Sequence, residues 1–595
     1  MLSKSFISKT STINTLFKIT TPTTASFGQK KYSTNNQFPL TTSYCHGTSN
    51  KPLIHETIGS SFLKTVEKYP DKEAVVFCES DTRKTFSQFW TEVENFAAGL
   101  LKLGFKKGDL IGIWGPSSLE WAITQFATSL IGAILVNVNP AYQVNEVAYV
   151  LEKVGCKGIV ASGKFKTQDY YGMLKKVCPE LGECGPGQLK SKRFPNFTHV
   201  IMMGKGDYPG AFSFDDVASM SSPAIVGQVH NTMSSLCFDD LINVQFTSGT
   251  TGFPKGATLT HHNVVNNAYI VGNTTGYPDS DHRICCQVPL YHCFGMVAGL
   301  LCMSVHGVAN VFPTAGYDPQ ATMNSLQNER VTMLYGTPTM FVDACALAES
   351  KNFQLPHLQK GVIAGSPVPP DLVKKAEKTL GIFMHIGYGS TETSPVVCMT
   401  DETNNYDDRI SSNGLSCPHT ENMVADSEGR PLPLGEPGEL LSRGYCVMAK
   451  YWADPEKTKS AIDEKHWYHT GDIATMDANG FIRITGRTKD MIIRGGENIY
   501  PAEIENYLHS HPAIEDAQVF GVPDKRFGEE LAVWVKVKQG EDLSEEEIKK
   551  YCKGNIAHYK IPRYYKFVDE FPLTVTRKVK KYQMREEYAK EMGLI

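Results

Sequence analysis

Residues 242–256 read Ile242-Asn243-Val244-Gln245-Phe246-Thr247-Ser248-Gly249-Thr250-Thr251-Gly252-Phe253-Pro254-Lys255-Gly256; the last ten hold three glycines, four hydroxyls, one proline and one lysine. The first five predict a strand and the rest a loop at its end. Glycines let backbone N–H groups approach a ligand closely, hydroxyls donate hydrogen bonds, and lysine adds a positive charge, so this loop is a candidate grip for phosphate oxygens. Its place fits, because α/β folds seat ligands beyond the carboxyl ends of their strands. It is not a Walker A loop: Lys255 stands between Pro254 and Gly256, where that motif needs Gly-Lys-Ser/Thr.

Upstream, Phe89, Val93, Phe96, Leu100 and Leu103 recur at helical spacing over 86–104, with Gly104 as a stop. Short apolar runs follow at 110–114, 133–138, 158–161 and 200–203, most of them separated by enough chain for a helix. That alternation predicts βαβ units and a mostly parallel sheet, so the fold class is α/β. Residues 179–197 carry the Pro, Gly and Lys content of a surface excursion.

Downstream, Tyr468-His469-Thr470-Gly471-Asp472 leads into Ala474-Thr475-Met476-Asp477, the turn pair Asn479-Gly480, and Phe481-Ile482-Arg483-Ile484-Thr485-Gly486-Arg487. This predicts a hairpin with a carboxylate at one end and a guanidinium at the other. A helix opened by Pro501, an alternating strand through Leu531, Val533, Val535 and Val537, and a Ser544/Glu547 capping box complete a small α+β domain.

The 595 residues suggest a large body with an appendage, and 41% hydrophobic with 21% charged residues is ordinary for a folded protein. A net charge of −4 argues against nucleic acid as main partner and makes a small-molecule site the better default. The 15 cysteines show neither a CxxC pair nor zinc spacing, so they read as free thiols in a reducing compartment. The first 55 residues lack Asp and Glu, while Lys4, Lys9, Lys18, Lys30, Lys31 and Lys51 sit among many Ser and Thr. Such a segment reads as an organelle transit peptide, with a disordered tail as the alternative. No transmembrane segment is expected, since the most apolar run, 296–312, is interrupted and too short to span.

In order along the chain, the phosphate loop, Tyr388-Gly389-Ser390-Thr391-Glu392, Tyr468-His469-Thr470-Gly471-Asp472 and Gly486-Arg487-Thr488-Lys489-Asp490 resemble the motifs of the adenylate-forming enzymes, which include acyl-CoA synthetases, luciferases and peptide-synthetase adenylation domains. Pro289-Leu290-Tyr291-His292, Tyr335-Gly336-Thr337-Pro338-Thr339-Met340-Phe341, Val362-Ile363-Ala364-Gly365-Ser366-Pro367 and 491–501 are most similar to mitochondrial medium-chain acyl-CoA ligases. The resemblance implies a transit peptide over 1–35, an ATP- and acyl-binding α/β body of several subdomains over 36–486, and a mobile C-terminal α+β domain over 487–595. It also implies ATP, Mg²⁺ and coenzyme A as cofactor and co-substrates, a fatty acid as substrate, and a place in the mitochondrial matrix.

Carried over residue by residue, the resemblance gives Thr247, Ser248, Gly249, Thr250, Thr251, Gly252, Phe253, Pro254 and Lys255 to the ATP phosphates. Gly365, Ser366 and Pro367 would line the adenine, and Tyr388 would stack on it. Thr391 would reach the α-phosphate, Glu392 would hold Mg²⁺, and Asp472 with Arg487 would bind the ribose. Lys578 matches a catalytic lysine delivered by the mobile domain, Lys489 a hinge, and Gly495 and Gly496 the border of the coenzyme A tunnel. Arg577 departs from the family, which usually has glycine there; if the position needs positive φ, arginine is strained, and Lys580 and Lys581 then compete with Lys578 for the role. His292 reads equally as an acyl-pocket contact or as packing beside Tyr291 and Phe294. Two other functions stay open: a nucleotide-hydrolysing or nucleotide-sensing module, and an adenylate-forming enzyme that ends at the adenylate or uses a carrier protein.

Overall fold

The computed structural model describes residues 39–594 other than 248–253, 280, 352, 489, 495–496, 525, 554, 557 and 575–576. Ser248, Gly249, Thr250, Thr251, Gly252 and Phe253 of the phosphate loop therefore lie outside the described residues, as do Lys489, Gly495, Gly496 and the expected transit peptide.

The expected βαβ alternation is present. Strands Leu110–Trp114, Ile134–Val138, Gly158–Ser162 and His199–Met203 pair in parallel, and Leu241–Thr247 joins them beside Ile134–Val138. Leu241–Thr247 pairs antiparallel with Lys255–Thr260, with Thr247 opposite Lys255, so the two ends of the phosphate loop stand side by side. A second sheet runs in parallel through Phe383–Gly389, Lys360–Ile363, Met333–Gly336, Arg283–Cys286, Ala309–Phe312 and Glu73–Phe77. All five residues of Ile134–Val138 and all four of Met333–Gly336 are buried, as expected where helices cover both faces of a parallel sheet. One core reaches from Phe62, Phe89 and Phe126 in the helical layer to Tyr335 and Val362 in the second sheet, which makes the body a single packed unit.

The helix expected over 86–104 is Phe86–Lys102, capped by Thr85 and Gln88 and burying Phe89, Val93, Phe96 and Leu100. Residues 179–197 are not a free excursion. Leu181, Leu189, Phe194 and Phe197 are fully buried against Val154, Val177 and Val200, so the polar composition conceals a lid on the first sheet. The apolar run near 296–312 begins as a π-helix, Phe294–Leu300, continues as Cys302–His306, and is buried. Among the described residues no helix is long and apolar enough to cross a membrane.

The hairpin Tyr468–Met476 and Ile482–Arg487 lies in an antiparallel sheet with Gly438–Gly444 and Thr420–Ala425. Beyond it, Gly528–Val537 pairs with Ile514–Asp524, Ile492–Arg494 and Tyr564–Phe567 under helices Pro501–His509 and Glu545–Cys552. The tail has its own core around Ile504, Leu508, Val519, Val533 and Ile548.

Candidate active site

Three strands of the second sheet and one of the first end at the same place. Thr247 closes Leu241–Thr247, Thr337 follows Met333–Gly336, Gly365 follows Lys360–Ile363, and Ser390, Thr391 and Glu392 follow Phe383–Gly389. The sheets meet where the Thr247 hydroxyl comes within 3.5 Å of Glu392 Oε1. Gly389 is needed for the turn into this segment: a Cβ there would stand 1.7 Å from the Pro395 carbonyl oxygen. Gly365 has φ of +95°, a left-handed conformation that side chains disfavour. Gly365, Ser366 and Pro367 are at least partly exposed, an accessible lip of the cleft.

Glu392 is only 8% exposed, and its Oε1 accepts a 2.8 Å hydrogen bond from the Tyr451 hydroxyl. Burial, then the charge of Glu392, pushes the Tyr451 phenol far above its usual range, so it stays a neutral donor. Lys255 lies over the same ring, its Nζ 4.9 Å from the centroid, so Tyr451 links the phosphate-loop lysine to the carboxylate. Tyr451 carries no local signal in the sequence. It reaches the site because Lys450–Tyr451 adds to the sheet edge, with Tyr451 opposite Ala257.

Asp472 and Arg487, far apart in the hairpin sequence, are opposite each other in register at its open end. Asp472, 4% exposed, accepts from the Tyr388 hydroxyl at 2.6 Å through Oδ2 and meets Arg487 Nε at 2.8 Å through Oδ1. Each carboxylate oxygen keeps a further lone pair for a ligand hydroxyl. The Asp472 charge raises the Arg487 guanidinium, while burial and the same charge raise the Tyr388 phenol. Tyr388 thus orients Asp472 as well as presenting a ring.

The tail enters this cleft through Lys578. Its Cε would touch a Cβ built on Gly365 at 3.7 Å. Desolvation and then Arg487 push its ammonium below the usual range, with Cys293, Asp472 and Glu392 pulling the other way. Lys578 and Arg487 thus share one cleft with Asp472 and Glu392, and only Arg487 is paired there with a carboxylate among the ion pairs of the described residues. Lys581 is committed elsewhere, in a 2.5 Å ion pair with Glu505 of the tail. His292 is partly buried and neutral: desolvation, then Lys578, drives it to about 3, and its Nδ1 accepts from the Phe294 N–H at 3.2 Å. A void of ≈ 10 Å³, about one water, lies among His292, Phe294, Thr337, Gly365 and Lys578.

Three further groups belong to the cleft. Cys293 Sγ lies 3.6 Å from the Thr391 hydroxyl, and burial pushes that thiol up to about 11, so it is a packing group and not a nucleophile. Thr337 Oγ1 is buried with no hydrogen-bond partner among the described residues, and the residue lines the same void. Tyr468, from a motif read for Asp472 alone, packs beside Glu392, whose charge adds to burial in raising its phenol. Among the described residues no group of three or more His, Cys, Asp or Glu is placed to hold a metal. Glu392, with the Thr247 hydroxyl beside it, fits a hard cation that takes its other oxygens from phosphate and water.

Comparison with known proteins agrees with this geometry. Residues 62–452 match the AMP-binding enzyme family model, and 503–578 match the AMP-binding enzyme C-terminal domain. The chain is 49% identical over 558 residues to the medium-chain acyl-CoA ligase ACSF2, mitochondrial, of Danio rerio, covering 93% of this chain and 92% of that protein. It is 42% identical over 538 residues to the putative acyl-CoA synthetase YngI of Bacillus subtilis, covering 90% of this chain and 97% of that one. The crystal structure of the anthranilate CoA ligase AuaEII in complex with anthranoyl-AMP superimposes with a TM-score of 0.80 at 25% identity, covering 92% of this chain and 99% of that one.

Proposed function

The chain belongs to the AMP-binding enzyme family, and on that premise we propose that it is an ATP-dependent, AMP-forming fatty acid:CoA ligase acting on medium-chain acids in the mitochondrial matrix. The observation that carries this is the Lys578 ammonium, desolvated beside Arg487 and electrostatically coupled to both Glu392 and Asp472. A nucleotide α-phosphate in this cleft would give the desolvated Lys578 ammonium a direct anionic partner.

In the first half-reaction a carboxylate oxygen bonds to the α-phosphorus and the bond to pyrophosphate breaks, leaving an acyl-adenylate. No protein nucleophile is required; positioning and charge stabilisation are. Asp472 and Arg487 hold the ribose, Tyr388 and the 365–367 lip take the base, and Thr247 and Lys255 with the rest of the phosphate loop take the β- and γ-phosphates. Thr391 donates to an α-phosphate oxygen, and Lys578 bridges that phosphate and the incoming carboxylate. Mg²⁺ bound at Glu392 would neutralise charge on the leaving phosphates. In the second half the coenzyme A thiolate attacks the acyl carbon and AMP leaves; Lys489 serves as hinge and Gly495 and Gly496 border the thiol's path. His292 and Phe294 face the void that an acid must enlarge by moving side chains.

Incubation with ATP, Mg²⁺, coenzyme A and carboxylates of graded length should release equal amounts of AMP and pyrophosphate, strictly dependent on the acid and greatest at medium length. ADP with phosphate would instead indicate a nucleotide-hydrolysing module, and acyl-adenylate accumulating despite coenzyme A would indicate an enzyme that stops at the adenylate. Because the Tyr451 hydroxyl holds Glu392 Oε1, Tyr451→Phe should lower kcat/KM for MgATP about tenfold, as expected for a lost hydrogen bond to a charged group. The KM for the acid should change little. Steady-state kinetics varying each substrate separate the two effects, and an unaltered MgATP parameter would remove Tyr451 from the site.

A further inference from the structure

Arg577 has φ of +58°, so the position before Lys578 does take the left-handed conformation that penalises a side chain. That conformation disfavours a non-glycine residue about tenfold, and glycine would have adopted it freely. The loop that requires it is tightly tied: Arg577 N–H donates to the Thr574 carbonyl at 2.9 Å, Thr574 N–H to the Lys578 carbonyl at 2.8 Å, and Lys578 N–H to Thr574 Oγ1 at 2.9 Å. None of these three bonds uses the arginine side chain, which is spent elsewhere.

The guanidinium leaves the tail and lies on the body. It stands 5.2 Å from the Tyr317 ring centre, and its Nη2 is 3.7 Å from Asp343 Oδ2. The same Asp343 oxygen accepts from the Tyr317 hydroxyl at 2.8 Å, so ring and carboxylate form one preorganised seat. Asp343 lies on the helix Pro338–Ser350, and from that helix the Thr339 hydroxyl donates to the Arg577 carbonyl at 3.4 Å. Side chain and backbone of one tail residue thus grip one helix of the body, immediately before the lysine that enters the cleft.

We propose that Arg577 is a positioning residue: it latches the Lys578 loop onto the Pro338–Ser350 helix and biases the mobile tail toward the arrangement that serves adenylation. This rests on the proposed role of Lys578. The latch favours the first half-reaction and opposes the second, because the tail must leave the helix before the thioester-forming arrangement can be reached. Its strength is modest, since one ion pair at 3.7 Å with both side chains about one-third exposed and one cation–π contact are together worth about fivefold.

The test measures both half-reactions in the full-length enzyme: pyrophosphate exchange into ATP for adenylation, and thioester formation from supplied acyl-adenylate and coenzyme A. Arg577→Ala, which keeps the backbone cost and loses the seat, should slow exchange about fivefold while thioester formation is unchanged or faster. Arg577→Gly should be impaired less than Arg577→Ala, because it also relieves the left-handed conformation. Asp343→Asn, which still accepts from Tyr317, should reproduce part of the loss, and adding it to Arg577→Ala should cost nothing more. Equal loss in both half-reactions, unchanged exchange in Arg577→Ala, or additive effects of the two substitutions would overturn the latch while the ligase reading stands. A wild-type enzyme that exchanges no pyrophosphate with any acid would overturn the ligase reading itself, and the latch with it.

Discussion

Lys578→Ala is expected to slow acyl-adenylate formation about 10²- to 10³-fold, the range seen when one preorganised donor to a developing oxyanion is removed. Thioester formation from supplied acyl-adenylate should survive. The asymmetry follows from where the ammonium sits. In the free enzyme it is pushed below its usual range by desolvation and by Arg487, with the Glu392 and Asp472 charges insufficient to offset them. A triphosphate entering the cleft relieves that repulsion, and charge growing on the α-phosphoryl oxygens relieves it further, so the interaction is stronger in the transition state than before it. The second half-reaction expels AMP and needs no such cation at the phosphorus. Lys581→Ala is the control: its ammonium is held by Glu505, and its loss should leave both half-reactions near wild type. Pyrophosphate exchange and acyl-adenylate consumption, measured separately, decide the matter; equal losses in the two would remove the role given to Lys578.

What could be read from the sequence was chemistry written in contiguous residues. The strand before the phosphate loop, the hairpin around Asn479-Gly480 and the helix capped by Thr85 follow from periodicity and turn chemistry, and the structure has them within a residue or two. The hairpin itself was legible, but the pairing of Asp472 with Arg487 was not: the register set at the turn would put Asp472 opposite Gly486, and an irregularity between Ile473 and Ala474 shifts it by one residue to Arg487. Tyr451 was illegible because its place depends on an edge pairing with a strand nearly two hundred residues away. Thr337 stood in a motif read for family likeness, but that its hydroxyl lacks a partner is a property of packing. Residues 179–197 misled in the opposite direction: Pro, Gly and Lys mark irregular backbone, and irregular backbone can still cover a sheet with Leu189, Phe194 and Phe197. At Arg577 the sequence posed the question of left-handed backbone, and the contacts with Tyr317 and Asp343 supply a reason for the side chain.

A second large effect concerns pH. Burial drives the imidazoles of His261 and His292 down to about 3, and those of His306 and His385 to about 4. In the unfolded chain each would titrate near 6.5. Every one of the four folded values lies below the unfolded value, so between about pH 6.5 and 4 the unfolded chain takes up protons that the folded protein refuses, and stability falls as pH falls. Each group contributes about 1.4 kcal/mol per pH unit, so at pH 5 the four together cost roughly 8 kcal/mol, which is comparable with the whole stability of a typical fold. His469 acts in the opposite sense: the hydrogen bond to Glu439, with Asp463 also near, raises it, so its contribution is present at acid pH and is lost as pH rises through its folded value. One raised imidazole does not offset four depressed ones. The protein should therefore lose its tertiary circular dichroism in a steep acid transition near pH 5, before most carboxylates titrate. His385→Asn can keep a donor toward the Thr400 carbonyl, and His306→Gln one toward the Tyr269 carbonyl. Each should make the transition shallower by about one proton in four and move it to lower pH. A midpoint below pH 4 in the wild type, or variants with an unchanged slope, would show that these imidazoles are protonated as readily in the folded protein as in the unfolded chain.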